Sequence, residues 1–422
     1  MNKDELVSIY CVTYNHATYI KDALEGFLKQ RTEFPIKIYV YDDGSTDETA
    51  DIVREYHSTY PELIVGIYSD ENMYSKTDNY VEYQRGFLKQ YIKGKYVALC
   101  DGDDYWTANI KLQKQINYME THPNCYLTAH ASKWIDCQKK EEKGYHPYHE
   151  SRNLTSEELI LQTGGNITTA SFVMRREVFF PSAGYPKADV GDVPMQLCAL
   201  NLGSIYYFDE EMCAYRYHRP ESWTSAFSYN DRFFIKHIFE MECFYRAYNI
   251  YTKGRFVCEL SRTSKKNRRN LISKRRGIGW RKFSDYIDDN KEFDEVFTDV
   301  KKEQKRIYDM ENKIYRLSDD EKEMLNKYRY ITIYGNGQYA SILRDVFRYN
   351  EVEWTGSVIS DGGIEKNEDI VWQLKNYPYP FYETIFVVGL HDKWQAEMEL
   401  EFLKKKDFSW WAPFWVEDSL EV

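Results

Sequence analysis

The sequence predicts an α/β protein, and three observations carry that prediction. Strand-like and helix-like segments alternate from Val7 to about residue 135. Polar, mostly acidic clusters follow three of the strand-like runs directly: Tyr14-Asn15, Asp42-Asp43 and Asp101–Asp104. A second strand–turn–helix pattern restarts at Tyr328. Such alternation predicts a mostly parallel sheet covered by helices on both faces, with ligands at the carboxyl ends of the strands.

Taken in order, Val7–Tyr14 is an apolar, β-branched run of the kind that forms a buried strand. From Ala17 to Arg31, Ile20, Leu24, Phe27 and Leu28 fall at helical spacing. Ile36–Tyr41 reads as a second strand ending in Asp42-Asp43-Gly44-Ser45, and Thr46–Tyr60 as a helix capped by Ser45 or Thr46. Leu63–Tyr68 is a third strand and Asn79–Ile92 a third helix. Tyr96–Cys100 is a fourth strand, stopped by Asp101-Gly102-Asp103-Asp104; the helix Lys111–Glu120 and the short strand Tyr126–His130 follow. Residues 136–230 are less regular, and residues 231–327 read as helical and charged without strand alternation. After 328, Ile331–Tyr334 runs into Gly335-Asn336-Gly337-Gln338-Tyr339-Ala340 and a helix to about Arg348, with further strands near Trp354–Ile359 and Ile385–Gly389. Three parts are expected: 1–230, 231–327 and 328–422, in keeping with 422 residues being too many for one ordinary domain.

A net charge of −11 argues against nucleic acid as a partner. The opening MNKDELVSIY lacks the basic segment and apolar run of a secretory signal. The apolar runs Tyr96–Cys100 and Ile385–Leu390 fall far short of the roughly 20 residues that a membrane helix needs. The 8 Cys include no CxxC pair and read as reduced thiols, so a cytoplasmic location is expected. Tyr and Trp are abundant; they suit stacking on sugars and bases and equally suit core packing.

Chemistry concentrates at the strand ends. A dicarboxylate there suits Mg2+ or Mn2+, hard cations that take oxygen ligands and keep positions for phosphate. Taken alone, Asp101–Asp104 is equally an acidic surface turn. Its context is more specific. Tyr96–Thr107 with Lys111-Leu112-Gln113-Lys114-Gln115, Val12-Thr13-Tyr14-Asn15 and Asp42-Asp43-Gly44-Ser45-Thr46-Asp47 together resemble the family 2 glycosyltransferases of the GT-A fold over about residues 5–230. Many relatives in this subgroup have Glu where Asp101 stands, so the carboxylate is kept with a shorter reach.

The resemblance implies a nucleotide site made by Thr13, Tyr14, Asn15, Asp42, Asp43, Asp101 and Gly102. Tyr14 would pack on the base, and Asp43 or Asp42 would bond the base or ribose. Asp101 would meet the ribose or a metal-bound water, and Asp103 would ligate the metal. Asp47 and Asp104 are expected to be solvated turn or cap residues. Asp192 matches the family's general base at the start of a helix; it also suits an N-cap followed by Pro194, and Asp189 is its rival. His218, in Tyr215-Arg216-Tyr217-His218, resembles the family histidine that can ligate the metal, and Arg216 and Arg219 are candidates for phosphate. Gly164-Gly165-Asn166-Ile167-Thr168-Thr169-Ala170-Ser171 resembles the loop lining the sugar pocket, and reads equally as a plain turn and strand.

The expected activity is therefore inverting transfer of a sugar from a nucleotide-diphosphate sugar, with UDP as the usual nucleotide, to a glycan or lipid-linked acceptor in cell-surface polysaccharide synthesis. The alternative is an inactive nucleotide-sugar-binding or scaffold protein of the same fold. A nucleotidyltransferase is disfavoured because Tyr14-Asn15-His16 stands where its Gly- and Lys/Arg-rich phosphate loop would be.

Two features lie beyond this half. Arg262–Lys282 contains no acidic residue. It reads as a solvated basic face, or a partner of Asp285–Glu295, or a peripheral contact with anionic lipid at the inner membrane face. The GNGQYA turn has the form of a dinucleotide fingerprint with Ala340 in third position and Asp361 as the ribose acid. It resembles the small Rossmann-like modules appended to sugar-handling enzymes. A structural or regulatory role is expected there, since His391 alone is a poor hydride-transfer partner. Trp410, Trp411 and Trp415 suit a core or an interface.

Overall fold

The computed structural model describes residues 5–77, 79–161, 167–188, 190–219, 222–272, 283, 295–311, 316–335, 338–359, 371–373, 377–380, 383–388 and 409–411. The chain divides into two compact units, Met1–Asn267 and Arg268–Val422.

The first unit is a mixed α/β structure around one central sheet. Its elements run β1 Val7–Thr13, α1 Ile20–Leu28, β2 Ile36–Asp42, α2 Thr49–Thr59, β3 Ile64–Tyr68, α3 Tyr80–Leu88, β4 Tyr96–Leu99, β5 Tyr105–Trp106, α4 Lys111–Thr121 and β6 Cys125–Asp136. They continue with β7 Glu141–Tyr145, β8 Arg152–Asn153, α5 Ser156–Leu161, a 3-10 turn Thr169–Ser171, β9 Val173–Arg175, α6 Arg176–Phe179, α7 Asp192–Leu202 and β10 Ser204–Tyr217. The helices α8 Trp223–Tyr229, α9 Asp231–Tyr251 and α10 Val257–Ile272 follow.

The strand order is β3-β2-β1-β4-β9-β6-β10-β5, with β7 on β6 and β8 on β10. Strands β1 to β4 pair in parallel, β9 runs antiparallel to both β4 and β6, and β10 pairs in parallel with β6. Successive strand residues face opposite sides, and both sides are buried. Val7, Ile9 and Cys11 join α1 and α4 in one core through Leu24, Phe27 and Ile116. Tyr10, Val97 and Leu99 face the other core with α7 and α9. That double burial is why β1 and β4 read as continuous apolar runs.

Two elements are longer than the sequence suggests. The strand expected at Tyr126–His130 spans 12 residues, and β10 spans 14 residues within the stretch that reads as irregular. The register of β10 on β6 shifts between Phe208 and Cys213. The charged residues Asp209, Glu210 and Glu211 sit at that bulge and hide the continuity. The first unit also continues past residue 230, to Asn267. Met241, Phe244, Tyr245 and Tyr248 of α9 lie in its core, and Tyr248 Oη donates to the Leu197 carbonyl of α7 at 2.8 Å.

The second unit contains α11 Thr298–Glu311, α12 Asp319–Asn326, β11 Tyr330–Tyr334, α13 Gln338–Tyr349, β12 Gly356–Ile359, β13 Val371–Gln373, β14 Thr384–Val388 and β15 Ser409–Trp411. Its described strands form a parallel sheet of order β13-β12-β11-β14-β15. Ile331, Ile333, Ile385 and Val387 pack with Leu343, Val346 and Phe347 of α13. Gly335 closes β11 at φ 122°, a conformation that favours glycine. Asn336, Gly337, Asp361, His391 and Trp415 lie outside the described residues, as do Asp189, residues 164–166, residues 273–282 and most of Asp285–Glu295. Among the described residues, no helix is long and apolar enough to cross a membrane.

Candidate active site

The three strand-end motifs are stitched together by backbone hydrogen bonds at one edge of the sheet. Asp43 N–H donates to the Thr13 carbonyl at 2.9 Å and Gly102 N–H to the Val12 carbonyl at 2.8 Å. Gly102 permits this approach: a Cβ there would lie 2.6 Å from Thr13 Oγ1 and 2.8 Å from Thr13 Cβ. Thr13 is buried, whereas the Tyr14 ring is 38% exposed and free to cover a planar ligand. Asn15 adopts φ 53°; its N–H donates to Ser45 Oγ at 2.9 Å and its side-chain oxygen accepts from Thr46 N–H at 2.8 Å. Asp47 likewise accepts from the N–H groups of Ala17 and Thr49, both at 3.0 Å, so it ties the first two motifs together.

Asp42 and Asp43 are both buried. Burial raises the Asp42 pKa, offset in part by hydrogen bonds from Ser45. Asp43 accepts from Met73 N–H at 3.1 Å, Tyr74 N–H at 3.0 Å and Tyr41 Oη at 3.2 Å. The structure thus gives Asp43 the task of pinning the segment after β3 to the sheet edge.

Asp101 is partly exposed, and its pKa is raised by burial first, then by the charges of Asp103 and Asp192. Asp192 is the first residue of α7, so Asp101 and Asp192, distant in sequence, face one another electrostatically. The Asp192 carboxylate accepts from its own N–H and that of Val193, yet burial outweighs both and raises its pKa. Tyr245 of α9 stands close enough for the Asp192 charge to act on its hydroxyl.

Asp103 lies among cations. Arg219 Nη2 donates to Asp103 Oδ2, and His16 Nε2 lies 4.0 Å from the same oxygen and 3.4 Å from Arg219 Nη2. Arg216 Nη1 donates to the Asp103 carbonyl at 2.7 Å, while its Nη2 pairs with Asp22 of α1. Asp104 corrects the expectation of a solvated turn residue. It is buried, accepts from Arg216 N–H at 2.9 Å, and has its pKa pushed well up by burial. Its carboxylate anchors the end of β10 to the acidic turn.

His218 is oriented by a carboxylate at the end of a neighbouring strand. Its Nδ1 lies 3.1 Å from Oδ2 of the buried Asp136 at the end of β6, with φ 60° at His218 itself. Arg219, one residue on, is the side chain that meets Asp103. Sequence reasoning missed His16, Asp22, Asp136 and Tyr245. Only the pairing of β10 with β6, which sets Tyr217 opposite Asp136, brings His218 and Asp136 together, and no local pattern signals it.

Lys111 and Gln115 turn out to be supports. Lys111 is fully buried, with Nζ 2.9 Å from Gln115 Oε1 and 4.2 Å from the Trp106 ring centre; burial lowers its pKa to about 7. Gln115 Nε2 donates to the Ser171 carbonyl and Trp106 Nε1 to the Ala170 carbonyl, each at 2.9 Å. The 3-10 turn is therefore held from below by the motif that follows the acidic cluster.

A divalent cation fits this donor set. Asp101 and Asp103 supply hard oxygens at a strand end, and Thr13 Oγ1 and His16 Nδ1 are buried without a hydrogen-bond partner among the described residues. No three His, Cys, Asp or Glu side chains among the described residues form a complete ligand shell. A Mg2+ or Mn2+ site here would draw its remaining ligands from phosphate and water, as is usual for nucleotide-bound cations.

An α/β sheet edge with aromatic, glycine and carboxylate groups gathered in this way offers the groups that a nucleotide-sugar transferase would use. Residues 8–180 match the Glycosyl transferase family 2 model. The uncharacterized protein Rv1520 of Mycobacterium tuberculosis is 35% identical over 228 residues, 54% of this chain and 62% of that protein. The chain thus spans less than two thirds of the length of the mycobacterial relatives it matches. The UDP-Glc:alpha-D-GlcNAc-diphosphoundecaprenol beta-1,3-glucosyltransferase WfaP of Escherichia coli is 34% identical over 120 residues, 28% of this chain and 42% of WfaP. The crystal structure of S. aureus TarS 1-349 in complex with UDP-GlcNAc aligns with TM-score 0.42 and 18% identity, covering 63% of this chain and 80% of that one. The family assignment rests on the sequence matches.

Proposed function

We propose that this protein transfers a sugar from a UDP-sugar to an acceptor hydroxyl, with inversion at the anomeric carbon, during cell-surface polysaccharide synthesis. The observation that carries the reading is the joining of the three strand-end motifs at one sheet edge, where Asp43 N–H donates to the Thr13 carbonyl and Gly102 N–H to the Val12 carbonyl. In this reading Asp192 supplies the carboxylate for the acceptor proton, and Asp101 and Asp103 those for the leaving group. A UDP-sugar donor and a lipid-linked acceptor are supported by the likeness to WfaP, whose name carries both.

In this reading Tyr14 covers the uracil, Asp43 and Asp42 shape the base and ribose pocket, and Asp101 meets the ribose. Asp103 holds the divalent cation, with His218 as a further candidate ligand. When bound, Mg2+ or Mn2+ supplies charge neutralisation for the departing diphosphate. Asp192 accepts the acceptor proton at its carboxylate; its pKa, raised by burial, makes it a stronger base than an exposed Asp. Thr169–Ser171, held by Gln115 and Trp106, borders the sugar pocket.

Nucleoside diphosphate release from a panel of nucleotide sugars, with Mn2+ and with or without glycan acceptors, tests the reading. UDP-sugar turnover stimulated by an acceptor is the expected result. Binding of nucleotide sugars without any turnover, alone or with acceptors, would point instead to a binding protein.

A further inference from the structure

Arg219 stands on the carboxylate oxygen that a cation would take. Its guanidinium pairs with Asp103 Oδ2, and both side chains are largely buried. Its buried Nε has no hydrogen-bond partner among the described residues, so the guanidinium keeps an unused donor that another anion would satisfy. The planar cation lies over the Tyr19 ring, 5.1 Å from its centre, and is held there by the ring face as well as by Asp103.

The backbone around Arg219 is held on both sides. Ser222 Oγ and Ser225 Oγ donate to the Arg219 carbonyl at 3.0 and 2.5 Å, and His218 is tied to Asp136. Arg216 separately grips the Asp103 carbonyl and Asp22. The Asp103 main chain therefore keeps an anchor if the Arg219 side chain leaves.

We propose that Arg219 is a stand-in for the divalent cation. In the ligand-free protein its guanidinium neutralises Asp103; as nucleotide and cation arrive together, it moves from Asp103 to the diphosphate. The inference rests on the transferase reading above. Its physical basis is charge. A cation arriving alone must expel a buried arginine that then lacks an anion, whereas a diphosphate supplies one. Cation and nucleotide affinities are then linked, each raising the other by the same factor. A charge-assisted Arg–carboxylate pair sets that factor at roughly tenfold to a hundredfold.

Mn2+ titration of the whole protein, followed by the electron paramagnetic resonance signal of free Mn2+, with and without UDP, tests this. Wild type is expected to bind Mn2+ weakly alone and about tenfold to a hundredfold more tightly with UDP. Arg219→Gln is expected to bind Mn2+ alone about tenfold or more tighter than wild type, with a reduced effect of UDP. Arg219→Lys, which keeps the charge, is expected to stay near wild type, and Asp103→Asn to lose binding. Equal Mn2+ affinity of wild type and Arg219→Gln without UDP overturns the exchange, while Mn2+-dependent UDP binding would leave the transferase reading standing. Should Arg219→Gln not fold, wild type decides: the same Mn2+ affinity with and without UDP overturns the proposal. Absence of Mn2+ binding to wild type even with UDP overturns both readings.

Discussion

Replacing Asp192 with Asn separates proton transfer from nucleotide binding. The carboxylate sits at the start of α7, accepts from its own N–H and that of Val193, and has its pKa raised by burial. Asn is nearly isosteric, keeps an oxygen for those N–H groups and is favoured near helix starts, so stability should change by about 1 kcal/mol or less. What Asn cannot do is accept the acceptor proton. Loss of a general base costs roughly 10²–10⁴ in rate, about 3–5 kcal/mol of transition-state stabilisation. Acceptor-dependent UDP release, measured beside UDP affinity by calorimetry, should show transfer falling by that factor with UDP binding preserved. The variant also removes a charge that raises the Asp101 pKa, so the acid limb of the remaining activity should move to lower pH. Transfer within about tenfold of wild type, or an equal loss of UDP binding, would refute the assignment.

Other perturbations reach different parts of the structure. Gly102→Ala would drive a Cβ into Thr13 Oγ1 and Cβ; overpacking of this kind costs about 1–3 kcal/mol and should appear as a lower Tm and weaker UDP binding. Tyr14→Ala should weaken UDP binding by about 0.5–1.5 kcal/mol while Tyr14→Phe retains it, and equal affinities in a titration would exclude stacking. The His146 pKa is raised, first by its hydrogen bond to Asp209 and also by Glu211. Its stabilising contribution is therefore complete below the unfolded value of about 6.5 and lost as pH rises through the raised folded value. The Tm difference between wild type and His146→Ala should shrink from pH ~6 to ~8.5; a constant difference would contradict the pairing.

The parts of the fold legible in sequence are those whose signals are local. Strands β1 and β4 read correctly because burial on both faces makes them largely apolar, and the polar residues that follow them mark the sheet edge. β10 did not, because Asp209–Glu211 at its bulge breaks the pattern that pairing with β6 restores. The apolar face of α9 predicts a helix but not the core it joins, so the first unit extends beyond residue 230. Side-chain destinations were least legible. Asp104 reads as a surface acid and is buried because β10, far along the chain, supplies the Arg216 N–H. His218 reads as a site ligand and is held by Asp136 because two distant strands end side by side.

The central claim is that Asp103 and its neighbours hold a nucleotide diphosphate through a divalent cation. The direct test is thermal unfolding with UDP and Mn2+, singly and together, for wild type and Asp103→Asn. At a UDP concentration about 100 times Kd, binding stabilises the folded state by about 2.7 kcal/mol, a rise in Tm of roughly 5–10 °C for a unit of this size. The account predicts that rise for wild type only when Mn2+ accompanies UDP, and none for Asp103→Asn. A similar rise in both proteins, or one indifferent to Mn2+, would contradict it.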